Sequence, residues 1–219
     1  MQPSHQQPAA SRARHNERSL CTLEPPPLAG RRPRRILITG GAKAGKSRFA
    51  QDLAERGAYR RRLFVATAVA CDSEMQERIA RHRRSRCAGG RGGVSANGNH
   101  CGLWTTLEEP THLPERLPKA FLSSKSVILL DCLPTFVTNL FLQGVSQVQI
   151  QERVRKIVQA CNRPGLTTLF VSNEVGLGVV PDHPLGREFR DLLGVVNQQV
   201  AQVAEEVYLV VAGVPLRVK

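Results

Sequence analysis

Long apolar runs are absent from this 219-residue chain. None approaches the roughly 18–20 residues of a membrane-crossing helix, so stable membrane insertion is not expected. Aromatic residues are scarce, at 5%. Aliphatic residues and alanine must therefore fill the core, and few ring faces are left on which bases could stack. The cysteines (Cys21, Cys71, Cys87, Cys101, Cys132 and Cys161) form no CxxC pair and no zinc-ligand spacing. A chain of this size does not need disulfide staples, so reduced thiols in a cytoplasmic protein are expected. The N-terminus has no apolar stretch of the kind a secretory signal requires. Residues 1–33 are rich in Arg, Ser, Gln and Pro and poor in acids. That composition is shared by organelle transit peptides, by disordered arms and by a start codon placed too far upstream; a disordered basic arm is expected. No internal repeat is present.

Positive charge, by contrast, is abundant. The formal net charge is +13 and the isoelectric point is near 10.4. A field of that sign attracts polyanions: nucleic acid, an acidic membrane surface or nucleotides. Part of it resides in residues 1–35, where seven arginines face only Glu17 and Glu24.

From residue 34 onward, short β-branched runs alternate with helical patterns. Strands are expected at 34–40, 63–68, 126–132, 167–174, 206–213 and 215–219. Helices are expected at 46–57, 72–86, 110–122 (short), 135–143, 146–161 and 185–204. In the last helix Phe189, Leu192, Leu193, Val196, Val200 and Val203 form one apolar stripe. Residues 87–103, with their Gly, Asn and Ser, read as a flexible loop. Such alternation predicts an α/β domain over 34–219 with a mainly parallel sheet, helices on both faces and ligands at the C-terminal strand ends.

One segment carries specific chemistry. Directly behind 36-ILIT-39 comes Gly40-Gly41-Ala42-Lys43-Ala44-Gly45-Lys46-Ser47. It matches G-x-x-x-x-G-K-[ST], with a strand before and a helix after. The glycines let backbone N–H groups curl around phosphate oxygens, and the helix N-terminus adds its positive pole. Lys46 is expected on the terminal phosphates and Ser47 on Mg²⁺. A phosphate loop of this kind calls for an acid at the end of a neighbouring strand, and Asp131 ends the apolar strand 127–131. It is read either as the acid that holds the magnesium shell or as a turn former ahead of Pro134. This pattern predicts a Mg²⁺-dependent, nucleotide-binding protein of the P-loop NTPase-like, three-layer class. It does not separate a kinase from a motor or a switch.

Further segments are more particular: 66-ATA-68, 78-RIARHR-83, 104-WTTLEEP-110, 131-DCLPTFVTNL-140, 171-VSNEVGLGVVP-181 and 208-YLVVAGVPLRVK-219. With the phosphate loop, and in this order, they resemble the bifunctional adenosylcobinamide kinase/adenosylcobinamide-phosphate guanylyltransferase family of cobalamin biosynthesis. The resemblance runs from about Arg35 to Lys219. It implies two reactions, with ATP and GTP as substrates: phosphorylation of adenosylcobinamide, then GMP transfer from GTP with release of pyrophosphate. It also implies a GMP-histidine intermediate on His82 and a homo-oligomer, a trimer. By the same match Ala66, Thr67, Ala68, Arg83, Arg84, Ser85, Arg86, Glu108 and Asp131 line the guanosine site. Asn173 and Glu174 touch magnesium or substrate, or else cap a strand end. An imidazole is largely neutral at pH 7, and four flanking arginines (Arg81, Arg83, Arg84, Arg86) would keep it unprotonated and stabilise a phosphoryl transition state. His5, His15, His100, His112 and His183 lie in weaker settings.

Four features depart from the family: the N-terminal arm, a longer 87–103 loop, Pro134 where a threonine is expected, and the high positive charge. They leave two other readings open. One is a GTP-binding relic that has lost one or both activities. The other is a basic, nucleic-acid-associated P-loop ATPase, although no nucleic-acid motif is present and no specific nucleic-acid partner is expected.

Overall fold

The computed structural model describes residues 33–69, Glu77, 100–101 and 104–219. The arm, the helix expected at 72–86 (apart from Glu77) and most of the 87–103 loop fall outside them. Eight strands form one sheet among the described residues: β1 (Arg34–Gly40), β2 (Arg61–Ala66), β3 (His100–Cys101), β4 (Trp104–Glu108), β5 (Ser126–Asp131), β6 (Leu166–Val171), β7 (Glu206–Val211) and β8 (Val214–Arg217). Four α-helices accompany them: α1 (Lys46–Arg56), α2 (Leu133–Leu142), α3 (Gln147–Ala160) and α4 (Pro184–Val203). The spatial order is β3-β4-β2-β5-β6-β1-β7-β8. All neighbouring pairs are parallel except β3 with β4 and β7 with β8 at the two edges.

Alternation within the central strands sorts their side chains into two cores. Ile36 and Ile38 of β1, Val127 and Leu129 of β5, and Leu169 and Val171 of β6 pack with Ala50, Leu53 and Ala54 of α1. The intervening Leu37, Ile128, Leu130 and Phe170 pack with α2, α3 and α4 on the other face. This central layer between helices is the expected doubly covered, mainly parallel sheet. The apolar stripe of α4 buries Leu192, Leu193, Val196 and Val200. Each such side chain contributes about 1.5–3 kcal/mol by leaving water.

Several boundaries differ from expectation. The short helix expected at 110–122 is instead a series of turns with one 3-10 turn at Lys119–Phe121. Pro110, Pro114 and Pro118 recur every fourth residue, removing helix donors and clashing with the preceding turn. The end of the 87–103 loop, at His100–Cys101, is an edge strand paired with Thr105 and Trp104. β2 stops at Ala66 rather than 68, because Thr67 turns its side chain to Cys132. Pro134 does no harm to α2. It lies in the first turn, where its absent N–H would have had no partner.

The candidate nucleotide site

The phosphate loop spans β1 and α1 as the sequence predicts. Gly40 has φ +144°, and a Cβ there would lie 2.3 Å from the Val210 carbonyl oxygen. Only glycine lets β1 leave the sheet at that point. Lys43 (φ +58°) and Gly45 (φ +98°) carry the chain round in left-handed conformations. Backbone bonds hold the loop within and from outside: Ala44 N–H donates to the Gly41 carbonyl (3.3 Å), and Gly213 N–H donates to the Ala44 carbonyl (2.9 Å). The second ties the loop to the β7–β8 turn.

Gly45 caps α1 without a side-chain hydrogen bond, and the first turn holds no acid. The positive end of α1 therefore has no negative side chain of its own to answer it, which is the electrostatic condition for anion binding. Lys46 is 7% exposed and folds back so that its Nζ donates to the Gly41 carbonyl at 2.6 Å. The ammonium thus lies over the curl of the loop, where the phosphates of a nucleotide would sit. Ser47 is in the first helical turn, half-buried beside it.

Asp131 is not on a strand adjacent to β1; β6 lies between β5 and β1. Two strand spacings place it about 10 Å across the sheet. It continues the Val127–Leu129 alternation, so its side chain projects to the same face as α1. Lys46 and Asp131 both act electrostatically on Cys132, as expected if they share one region. Burial first, and then the Asp131 charge, push the Cys132 thiol up to about 11, so it is no nucleophile at neutral pH. Ser47 and Asp131 offer a hydroxyl and a carboxylate, the hard oxygen donors that suit Mg²⁺, with waters completing the shell.

The far wall is made of the ends of β2, β4 and β5. Ala66 aligns with Glu108 on one side and Asp131 on the other. Thr67 is fully buried. Its hydroxyl donates to the Cys132 carbonyl (2.8 Å) and accepts from the Cys132 N–H (3.0 Å). Its backbone is engaged as well, the N–H donating to the Asp131 carbonyl (3.4 Å) and the carbonyl accepting from Asn139 (2.8 Å). Ala68 is half-buried and Glu108 exposed. The neighbouring Glu109 turns inward, where its carboxylate accepts from the N–H groups of His112 (2.8 Å) and Thr111 (3.1 Å). Burial opposes ionisation, but these backbone donors outweigh it and hold Glu109 below the usual carboxylate range.

Asn139 falls inside the 131–140 motif, yet the sequence assigns it no task. Its Nδ2 donates to the carbonyls of Thr67 (2.8 Å) and Pro110 (3.1 Å). One α2 side chain thereby fixes the loops after β2 and β4. A second amide, the buried Asn197 of α4, escapes sequence reasoning altogether; it grips the segment after β6. The only local signal for it is a polar residue inside an apolar stripe. The structure gives His183 and His112 architectural work. His183 Nδ1 accepts the Leu185 N–H at the start of α4 (3.2 Å), and His112 joins the Glu109 turn. His82, Arg83, Arg84, Ser85 and Arg86 lie outside the described residues; the chain leaves the described fold at Val69, one residue beyond Ala68.

The model of the cobinamide kinase / cobinamide phosphate guanyltransferase family matches residues 36–218. The chain belongs to this family. Its phosphate loop, Asp131 and both asparagines all fall inside the matched span. Among curated relatives, the chain is 38% identical over 197 residues to the bifunctional adenosylcobalamin biosynthesis protein CobU of Escherichia coli (strain K12), covering 84% of this chain and 99% of that one. It is 37% identical over 196 residues to the protein of the same name from Salmonella typhimurium, with the same coverage. It is 39% identical over 185 residues to the bifunctional adenosylcobalamin biosynthesis protein CobP of Pseudomonas aeruginosa, covering 84% and 97%. The match thus spans nearly all of the described fold. No helix among the described residues is long and apolar enough to cross a membrane.

Proposed function

We propose that this enzyme carries out two successive reactions. In the first, the hydroxyl of adenosylcobinamide attacks the γ-phosphorus of ATP or GTP. The bond from that phosphorus to the β–γ bridging oxygen breaks, the nucleoside diphosphate leaves, and the hydroxyl proton is lost. In the second, the His82 imidazole attacks the α-phosphorus of GTP and expels pyrophosphate. The adenosylcobinamide-phosphate oxygen then displaces histidine to give adenosyl-GDP-cobinamide. A covalent relay of this kind splits one difficult displacement into two easier ones.

The observation that carries the reading is the phosphate loop: a helix N-terminus without an acid, and a nearly buried lysine folded over the loop that precedes it. Lys46 would follow the charge that develops on the transferring phosphoryl group. Ser47 and Asp131 would hold Mg²⁺, which supplies charge neutralisation at the phosphates when bound. Ala66 and Ala68 would line the guanosine with backbone, Thr67 would hold that wall from behind, and Glu108 would accept from the guanine N1 and N2 donors. Family membership supports the substrate and, with it, a cytoplasmic homo-oligomer, a trimer, which light scattering on the purified protein would test.

The kinase half is tested by incubating the protein with adenosylcobinamide, Mg²⁺ and either nucleotide, and weighing the corrinoid product by mass spectrometry. Wild type should add one phosphate, and Lys46→Ala or removal of Mg²⁺ should abolish it. Wild-type protein that binds nucleotide but never phosphorylates the corrinoid would overturn the kinase reading.

A further inference from the structure

Strand β6 ends at Val171, but its pairing with β1 continues past that residue. Ser172 N–H donates to the Ile38 carbonyl (2.9 Å), and Glu174 N–H donates to the Gly40 carbonyl (3.1 Å). Gly40 is the residue at which the phosphate loop begins. The segment 172–174 is therefore laid directly against the loop, between the strand that carries it and the strand that carries Asp131.

This segment is gripped from behind by α4. Asn197 Nδ2 donates to the Asn173 carbonyl (3.0 Å), and Asn197 Oδ1 accepts from Ser172 Oγ (2.5 Å). Ser172 is fully buried and Asn197 is 9% exposed. The amide stands between Leu193, Val196 and Val200, in a stripe that is otherwise apolar. An unpaired amide there would carry a heavy desolvation cost, and both of its ends are paired. Stability alone does not call for such a group, since replacing a buried polar pair by apolar residues of the same shape is often neutral. What the amide provides and a leucine cannot is a fixed position for the Asn173 carbonyl, and so for the next residue, Glu174.

We infer that Asn197 is a positioning residue for phosphoryl transfer. Through the Asn173 carbonyl and the Ser172 hydroxyl it sets Glu174 at the mouth of the phosphate loop, where the carboxylate accepts the hydrogen bond of the incoming acceptor hydroxyl. The inference rests on the kinase reading above. It assigns Glu174 contact with substrate and Asn197 an action through Glu174 only.

The test is a double-mutant cycle on the phosphorylation of adenosylcobinamide. Asn197→Asp is nearly isosteric; it keeps the acceptor for Ser172 and loses the donor to Asn173. Asn197→Leu keeps apolar packing and loses both, which guards against a variant that fails only because a carboxylate is buried. In either variant kcat should fall about tenfold, with KM for the nucleotide held within about twofold. In a Glu174→Gln background the same changes should cost nothing further. Equal losses in both backgrounds, or losses that merely track a lower Tm, would overturn the inference, as would unchanged kcat. Wild type is measured first. A wild type that phosphorylates no corrinoid refutes the kinase reading and this inference with it, whereas failure of the inference alone appears only in the ratios among variants.

Discussion

Two neighbouring glycines at the start of the phosphate loop should respond very differently to the same added methyl group. At Gly40 a Cβ would meet the Val210 carbonyl oxygen at 2.3 Å, in a backbone with φ +144°. A comfortable carbon–oxygen contact is about 3.3 Å, so β7 must retreat from β1 by about 1 Å. Overpacking of that kind costs about 1–3 kcal/mol. The glycine-only backbone region costs a further 1–3 kcal/mol, roughly. Stiffening the unfolded chain returns about 0.4–1 kcal/mol. Gly40→Ala should therefore destabilise by about 1–5.5 kcal/mol, which for a domain of this size lowers Tm by roughly 2–20 °C. At Gly41 an added Cβ would find nothing within 4 Å. Gly41→Ala should stay within about 0.5 kcal/mol of wild type in the nucleotide-free protein. Thermal unfolding of both variants without nucleotide decides the matter. A Gly40→Ala protein that melts with wild type, or a Gly41→Ala protein that falls equally far, would refute the claim that loop geometry is set by the clash with β7.

Three further outcomes follow from buried groups. Glu109 is held below its ordinary value of 4.5, so its contribution to stability is present above that pH and is lost as pH falls through its folded pKa. Glu109→Gln should therefore be less stable than wild type at neutral pH, by denaturant midpoint, and the gap should close in acid; a gap that widens in acid would contradict the assignment. The Cys161 thiol is 1% exposed, and burial pushes it up to about 11. It should escape iodoacetamide in the native protein at mildly alkaline pH and label only after unfolding, as mapped by mass spectrometry. Trp104 is the chain's one tryptophan, 2% exposed, with its Nε1–H donating to Glu55 at 2.9 Å. Its emission should be blue-shifted and poorly quenched by acrylamide, and Trp104→Ala should cost about 3–5 kcal/mol.

Much of this architecture is written locally. The strand, glycine loop and helix at 34–56 follow from β-branched residues, a motif that leaves few backbone alternatives, and an α1 face of Ala50, Leu53 and Ala54. The stripe on α4 likewise announces a buried helix. Strand order does not, because parallel crossovers let consecutive strands land apart. A magnesium-holding acid is expected one strand from the phosphate loop, yet Asp131 lies two away, since β6 enters between them. The stretch from Pro110 to Leu122 shows helical composition, but its repeated prolines decide against a helix. Least legible are Asn139 and Asn197. An amide that clamps distant loops has no periodicity or spacing of its own; its partners come from elements far away in sequence.

The central claim is that one chain both phosphorylates a corrinoid and carries GMP on His82. Its most direct test is to incubate the protein with Mg²⁺ and GTP radiolabelled on the α-phosphate, and to look for acid-labile, base-stable label on the polypeptide. Wild type should label, His82→Ala should not, and adenosylcobinamide phosphate should chase the label into the corrinoid. Wild-type protein that binds GTP yet never labels, or a His82→Ala protein that labels normally, would contradict the account.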